Sequence, residues 1–352
     1  GTVSDFAVTN LDMSLLDSTR LMGKVEISGL PDIKNSYFFI DVKRLKTTIS
    51  DIASIPMYPF TSGEKIPVPK SYFKFGNIRY TGNFTGLITD LVSYGNITTS
   101  LGNISSDILI KTIKDKQKID ISGNFSTQCF NLGKLLDASP SLGNVDMSVK
   151  INSHFNTKSL ETAELIGSIS TIEFNQYSYQ NVNFSGNLSP KMFDGIVTIK
   201  DKNLDLDFKG LCDFSKKLPS LNFTANVEHM NPYKLKYGIS DSLTNISFNL
   251  HSKLTGNRIE NMNGIVSIDS LLFENKKGQA YISNAKASIE NTKNNESITF
   301  ESDFLKAKVW GNFRFNQLQP AITKTLSKIL PTVFDDNPKN VFQNNEKVHF
   351  AF

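Results

Sequence analysis

Few residues of this chain have the types and spacing that chemistry needs. The four histidines are His154, His229, His251 and His349. None has the nearby second histidine or the cysteine pair that a tetrahedral zinc site requires. Asp205 and Asp207 are two apart, so on a strand they share one face. Two such carboxylates could hold a cation or act as a glycosidase pair, but a solvated strand face explains them more cheaply. No Gly-x-Ser-x-Gly elbow, P-loop or Gly-x-Gly-x-x-Gly fingerprint occurs. The expectation is therefore a protein that is not an enzyme, with no catalytic residue, no metal and no cofactor.

The two cysteines, Cys129 and Cys212, are too few for a disulfide framework and read as partly buried thiols, with a single bridge as the alternative. Asn-x-Ser/Thr triplets are frequent, for instance at Asn83, Asn96, Asn103, Asn124, Asn183, Asn187, Asn222 and Asn245. They fall where strand alternation already sets Asn and Ser two apart, and read as by-products of that pattern rather than glycan sites. Asp-Ser triplets around Ser18, Ser242 and Ser270 match a bacterial O-glycosylation pattern that chance also produces.

The elements that carry these residues are strands. In "NLDLDFKG", Leu204, Leu206 and Phe208 alternate with Asp205, Asp207 and Lys209. Such alternation makes a strand with one dry and one wet face. The pattern returns at Val145, Met147, Val149 and Ile151, at Val182, Phe184 and Leu188, and at Val197 and Ile199. It returns again at Phe223, Ala225 and Val227, at Ile246, Phe248 and Leu250, and at Val309, Phe313 and Phe315. Short polar turns between these runs predict antiparallel pairing of successive strands. An apolar–x–Gly–x–apolar phrase recurs at Gly29, Gly82, Gly123, Gly186, Gly210 and Gly311. A glycine inside a strand marks a bend, a bulge or a close backbone approach, and these six are read as bends that let a long sheet curl.

Helix is scarce. An apolar stripe of Leu318, Ile322, Leu326, Ile329 and Leu330 predicts an amphipathic helix over about 317–330, and a short turn is expected within 131–140. A proline-rich irregular connection is expected over about 54–71. No run of about 18 apolar residues exists to cross a bilayer as a helix. The chain opens at Gly1 without methionine and is read as a piece of a longer protein, one continuous segment over 1–352. Lys+Arg 38 against Asp+Glu 34 is a mixed, solvated surface, which argues against nucleic acid as a partner.

Three coverings suit so much dry sheet face: a second sheet, membrane lipid outside a barrel, or acyl chains inside an open trough. A barrel wants girdles of Tyr and Trp, whereas this chain has 26 Phe, many of them mid-strand, against 10 Tyr and 1 Trp. Tandem sandwiches want units of about 100 residues with distinct linkers. Monotonous strands, recurrent glycines and absent catalytic groups favour the trough. The fold class expected is all-β: a long, repetitive, mostly antiparallel sheet curled into an open groove with an apolar interior, plus one or two short helices.

Several stretches resemble a known family. They include "ISGLPDIKNSYFFIDVKRLKTTISDI" (27–52), "GNFTGLITDLVSYGNITTSLGNISSDILIK" (82–111), "ISGNFSTQCFNLGKLLDASPSLGNVDMSVKI" (121–151), the run 167–235, and "VWGNFRFNQLQPAITKTLSKIL" (309–330). In cadence and phrase order they are similar to the AsmA-like, bridge-type lipid-transfer proteins that include the translocation and assembly module subunit TamB. The resemblance implies a periplasmic, cell-envelope segment whose inner-membrane anchor lies outside this chain. It implies phospholipid acyl chains as ligand, an Omp85-type (TamA-like) outer-membrane barrel as partner, and a link to outer-membrane protein assembly. Against it stand an edge-pairing chaperone for barrel strands and an adhesive or structural tandem β-sandwich.

Overall fold

A computed structural model of the chain describes residues 2, 4–33, 35–55, 68–113, 118–156, 160–258, 261–292, 295–312 and 347–351. The expected helix over 317–330, Phe313, Phe315 and most of the proline-rich connection lie outside these residues. Strand makes up 73% of the structure, and the sheet is antiparallel, so the all-β expectation holds.

The described residues fall into two compact units. The first holds ten strands: β1 (Asp5–Leu15), β2 (Thr19–Ser28), β3 (Tyr37–Thr48), β4 (Asn77–Leu87), β5 (Asp90–Thr99), β6 (Gly102–Ile113), β7 (Lys118–Asn131), β8 (Leu142–Asn156), β9 (Leu160–Phe174) and β10 (Tyr177–Ser189). Each pairs antiparallel with its sequence neighbours. This is what strands joined by short turns must do, because a two-residue link cannot bridge a parallel crossover. The strand β11 (Met192–Asp201) is divided, its half from Val197 onward grouping with the first unit and the rest with the second.

The second unit holds β12 (Leu204–Asp213), β13 (Ser220–Met230), β14 (Asn245–Thr255), β15 (Asn263–Asn275), β16 (Gly278–Thr292), β17 (Asn295–Ser302), β18 (Lys306–Asn312) and β19 (Lys347–Ala351). They too pair in sequence order.

Three short helices interrupt the first unit: α1 (Ile49–Ser54), a 3-10 helix (Lys70–Phe75) and α2 (Leu132–Leu136), the last inside the turn expected over 131–140. Thr48 caps α1 by accepting the Asp51 N–H. Asp51 in turn accepts from the Ser18 N–H at 2.9 Å and the Thr19 hydroxyl at 2.6 Å, which pins the β1–β2 turn to the helix. Asn131 caps α2 and Asp137 ends it in the left-handed region. The 3-10 helix and α2 cover one small core of Leu101, Ile104 and Phe130, with Phe75, Phe125, Leu132 and Leu135 packed around it. Lys74 clasps the two helices by donating to the Leu135 carbonyl at 3.2 Å and pairing with Asp137 at 2.6 Å.

Candidate functional site

Residues directly opposite each other in an antiparallel pair share a face, so the register converts alternation into rungs that cross many strands. In the second unit Phe208 faces Ala225, which faces Leu250, Ile268 and Ala285 in turn. Leu206 faces Val227 and Val227 faces Phe248. Leu204, Met230, Ile246, Phe273 and Ala280 form a third rung. The opposite face carries Lys209, Thr224, His251, Ser267 and Lys286 along one rung. One face is mostly apolar and the other mostly polar.

The first unit repeats this. Val25, Ile40 and Phe84 form one rung; Met147, Ile169 and Val182 another; and Ile151, Leu165 and Gly186 a third. Val149 faces Phe125 on one side and Gly167 on the other, and Gly167 faces Phe184.

Several strands break strict alternation, and bulges repair it. On β15 the apolar residues step from Ile268 to Leu271, a spacing of three that would throw Leu271 onto the polar face. The register slips there, and Ser270 takes a left-handed φ of 54°. Leu271 and Phe273 thereby rejoin the face of Val266 and Ile268. The steps Val42–Leu45 and Val227–Met230 coincide with slips of the same kind, as does Thr127–Phe130, where Cys129 has φ 49°.

The sequence-predicted lining residues divide by depth. Val145, Val149, Val182, Leu204, Ala225 and Val227 are buried. Met147, Ile151, Phe184, Leu188, Val197, Ile199, Leu206, Phe208, Phe223, Ile246, Phe248, Leu250 and Val309 are half-buried. Lys209 is exposed, whereas Asp205 and Asp207 are half-buried rather than facing open water, because Asp205 lies opposite His229 and Asp207 opposite Asn226. Alternation alone also left unnamed Val42, Tyr80, Phe84, Ile121 and Phe125, which occupy the same face. The three-residue apolar spacing was the available signal for the bulged strands.

All six recurrent glycines have positive φ. Gly29 differs from the in-strand pattern, since it lies one residue beyond β2, where its N–H bonds the Ser4 carbonyl. At Gly82 a Cβ would stand 2.2 Å from the Tyr94 carbonyl oxygen, so the neighbouring backbone occupies the side-chain site. Tyr80 and Phe84 flank that gap and stack with ring centroids 5.1 Å apart. The Tyr80 hydroxyl donates to the carbonyls of Asn83 and Tyr94, both at 3.2 Å, and burial pushes its pKa up. An aromatic ring thus fills the space that a glycine leaves.

The groups considered for chemistry are engaged elsewhere. His154 Nδ1 lies 2.7 Å from Asp120 Oδ1, His229 Nδ1 lies 2.6 Å from Asn245 Oδ1, and His349 stacks on Trp310 at 5.4 Å. Among the described residues no group of three His, Cys, Asp or Glu side chains is placed to hold a metal. Both cysteines are free thiols; Cys212 is half-buried, and burial raises its pKa, whereas Cys129 is exposed because its bulge turns it away from the apolar face. Of the eight Asn-x-Ser/Thr asparagines named above, Asn83 and Asn245 are half-buried and the other six exposed, all within strands. No helix among the described residues is long and apolar enough to cross a membrane.

No protein-family model, no curated protein and no solved structure matches the chain.

Proposed function

We propose that this chain is a segment of a bridge-type lipid-transfer protein of the cell envelope, and that its apolar faces line a groove in which phospholipid acyl chains travel between two membranes. The observation that carries this reading is the continuity of the apolar rungs. From Phe208 to Ala285, five successive strands place an apolar residue on one face at one level. Exposing an acyl chain to water costs about 0.8 kcal/mol per methylene, so two long chains cost on the order of 20 kcal/mol. A strip of interchangeable apolar side chains removes that cost without a specific pocket. The lining residues are mostly half-buried, as expected where ligand rather than protein completes the contact. In this reading the chain performs no catalysis, and its resemblance to AsmA-like proteins supplies the envelope setting and a barrel partner of Omp85 type.

The sequential pairing of strands favours this over a tandem sandwich, whose Greek-key connections skip strands. An edge-pairing chaperone would hold peptide rather than lipid. The test is mass spectrometry of material retained by the purified chain. Phospholipid at constant stoichiometry supports the reading; a chain that retains no lipid, or retains extended peptide, overturns it.

A further inference from the structure

The polar face of the second unit also carries a concavity. A cleft of about 620 Å³ opens over β12–β15, within the range of small-molecule sites. Its walls come from two polar-face rungs, Lys209–Thr224–His251–Ser267 and Asn222–Lys253–Ile265. Between them runs the rung of Gly210, whose φ of 146° brings β12 so close to β13 that a Cβ would meet the Asn222 carbonyl oxygen. The close approach leaves backbone as part of the cleft floor.

The charges in this cleft are unbalanced. Lys209 and Lys253 are exposed, and among the described residues neither has a carboxylate or hydrogen-bond partner. No carboxylate lines the cleft. Two acids stand on the adjacent rung: Asp269 accepts from the Asn284 amide and lies 3.5 Å from His251 Nε2, and Asp207, two residues from Lys209, lies opposite Asn226. Neutral donors line the same cleft: the Asn222 amide and the Thr224 and Ser267 hydroxyls. Ile265, 42% exposed, forms one wall.

We infer that this cleft binds a small phosphate-bearing ligand, such as a glycerol phosphate or sugar phosphate, free or as a lipid headgroup. Lysine acts on phosphate as a point charge, hydroxyls and amides serve the remaining oxygens, and the aliphatic wall suits the carbon body. The cleft also takes in Phe223 and Ser252 of the Gly210 rung, and its ligand is recognised through phosphate rather than acyl chains, so dependence on the two lysines separates its success or failure from that of lipid retention.

The experiment is calorimetric titration of the whole chain with glycerol 3-phosphate at low salt, beside co-sedimentation with phosphatidylglycerol vesicles. The expected result is saturable binding that the double variant K209Q/K253Q weakens by about tenfold or more, with an unchanged thermal midpoint because both lysines are exposed. Salt near 0.3 M should weaken it too. Lysine-dependent binding of glycerol 3-phosphate assigns a soluble phosphate ester; lysine-dependent co-sedimentation alone assigns a headgroup. Binding of neither probe, or equal binding by the wild type and the double variant, overturns the inference.

Discussion

The rings of Phe208 and Phe223 stand 5.1 Å apart and are tilted by 35°, although the register pairs neither with the other. Phe208 faces Ala225, and Phe223 faces Gly210. A small partner opposite each ring lets both lean along the diagonal and meet. Two strands thereby present one continuous apolar surface where direct pairing would leave a gap.

Leu206 is the next apolar residue along that surface. Because it is half-buried, a carboxylate placed there can reach water, and the fold is expected to survive Leu206→Asp. The charged rung should interrupt the proposed acyl path. Circular dichroism should match the wild type while retained phospholipid falls severalfold. A folded variant with undiminished lipid would refute the lining role of Leu206, and wholesale unfolding would show that a closed core surrounds it.

Gly82→Ala should be costly. The new Cβ would meet the Tyr94 carbonyl oxygen, and φ at this position is 151°. A loss of about 1–3 kcal/mol is expected, read as a lower denaturant midpoint with faster amide exchange in β4 and β5. Gly278→Ala, where no atom lies within 4 Å, should cost less.

Acid should loosen the corner at α1. The Thr19 hydroxyl first, then the Ser18 N–H and the Thr48 hydroxyl, hold the Asp51 pKa below its ordinary value. A depressed carboxyl pKa contributes stability that is fully present above the unfolded value, about 3.9, and is lost as pH falls through the folded pKa. Thermal unfolding of wild type and Asp51→Asn should therefore differ near pH 6 and converge towards pH 3. A gap that stays constant over this range would show that the Asp51 charge does not hold the corner.

Phe130→Ala should open a cavity in the core beneath α2 and the 3-10 helix, at a cost of about 3–5 kcal/mol. Lipid retained per folded molecule should not change, since this core is already filled by protein. A parallel loss of lipid would place Phe130 on the ligand path.

Strand identity and pairing partners were legible in the sequence because alternation is local and short turns leave one choice of neighbour. The face of Val182, Phe184, Leu204 and Leu206 could be read for the same reason. Positions beyond a bulge were not, since a three-residue step such as Val227–Met230 looks like lost periodicity until the register is known. Gly29 misled because a turn glycine and a strand glycine occupy the same phrase. Nothing local foretold the cleft over Gly210, which needs residues on four strands brought into register.

The pairing of each strand with its sequence neighbours has a kinetic consequence. A β protein usually folds slowly because distant segments must find each other before any contact rewards the search. Here the next partner is one short turn away for most strands, so closing those loops costs little entropy. Hairpins can be added one at a time to a growing template, as in solenoids whose repeats contact only their neighbours. A chain that emerges end first could therefore order itself as it does so, without waiting for its far end.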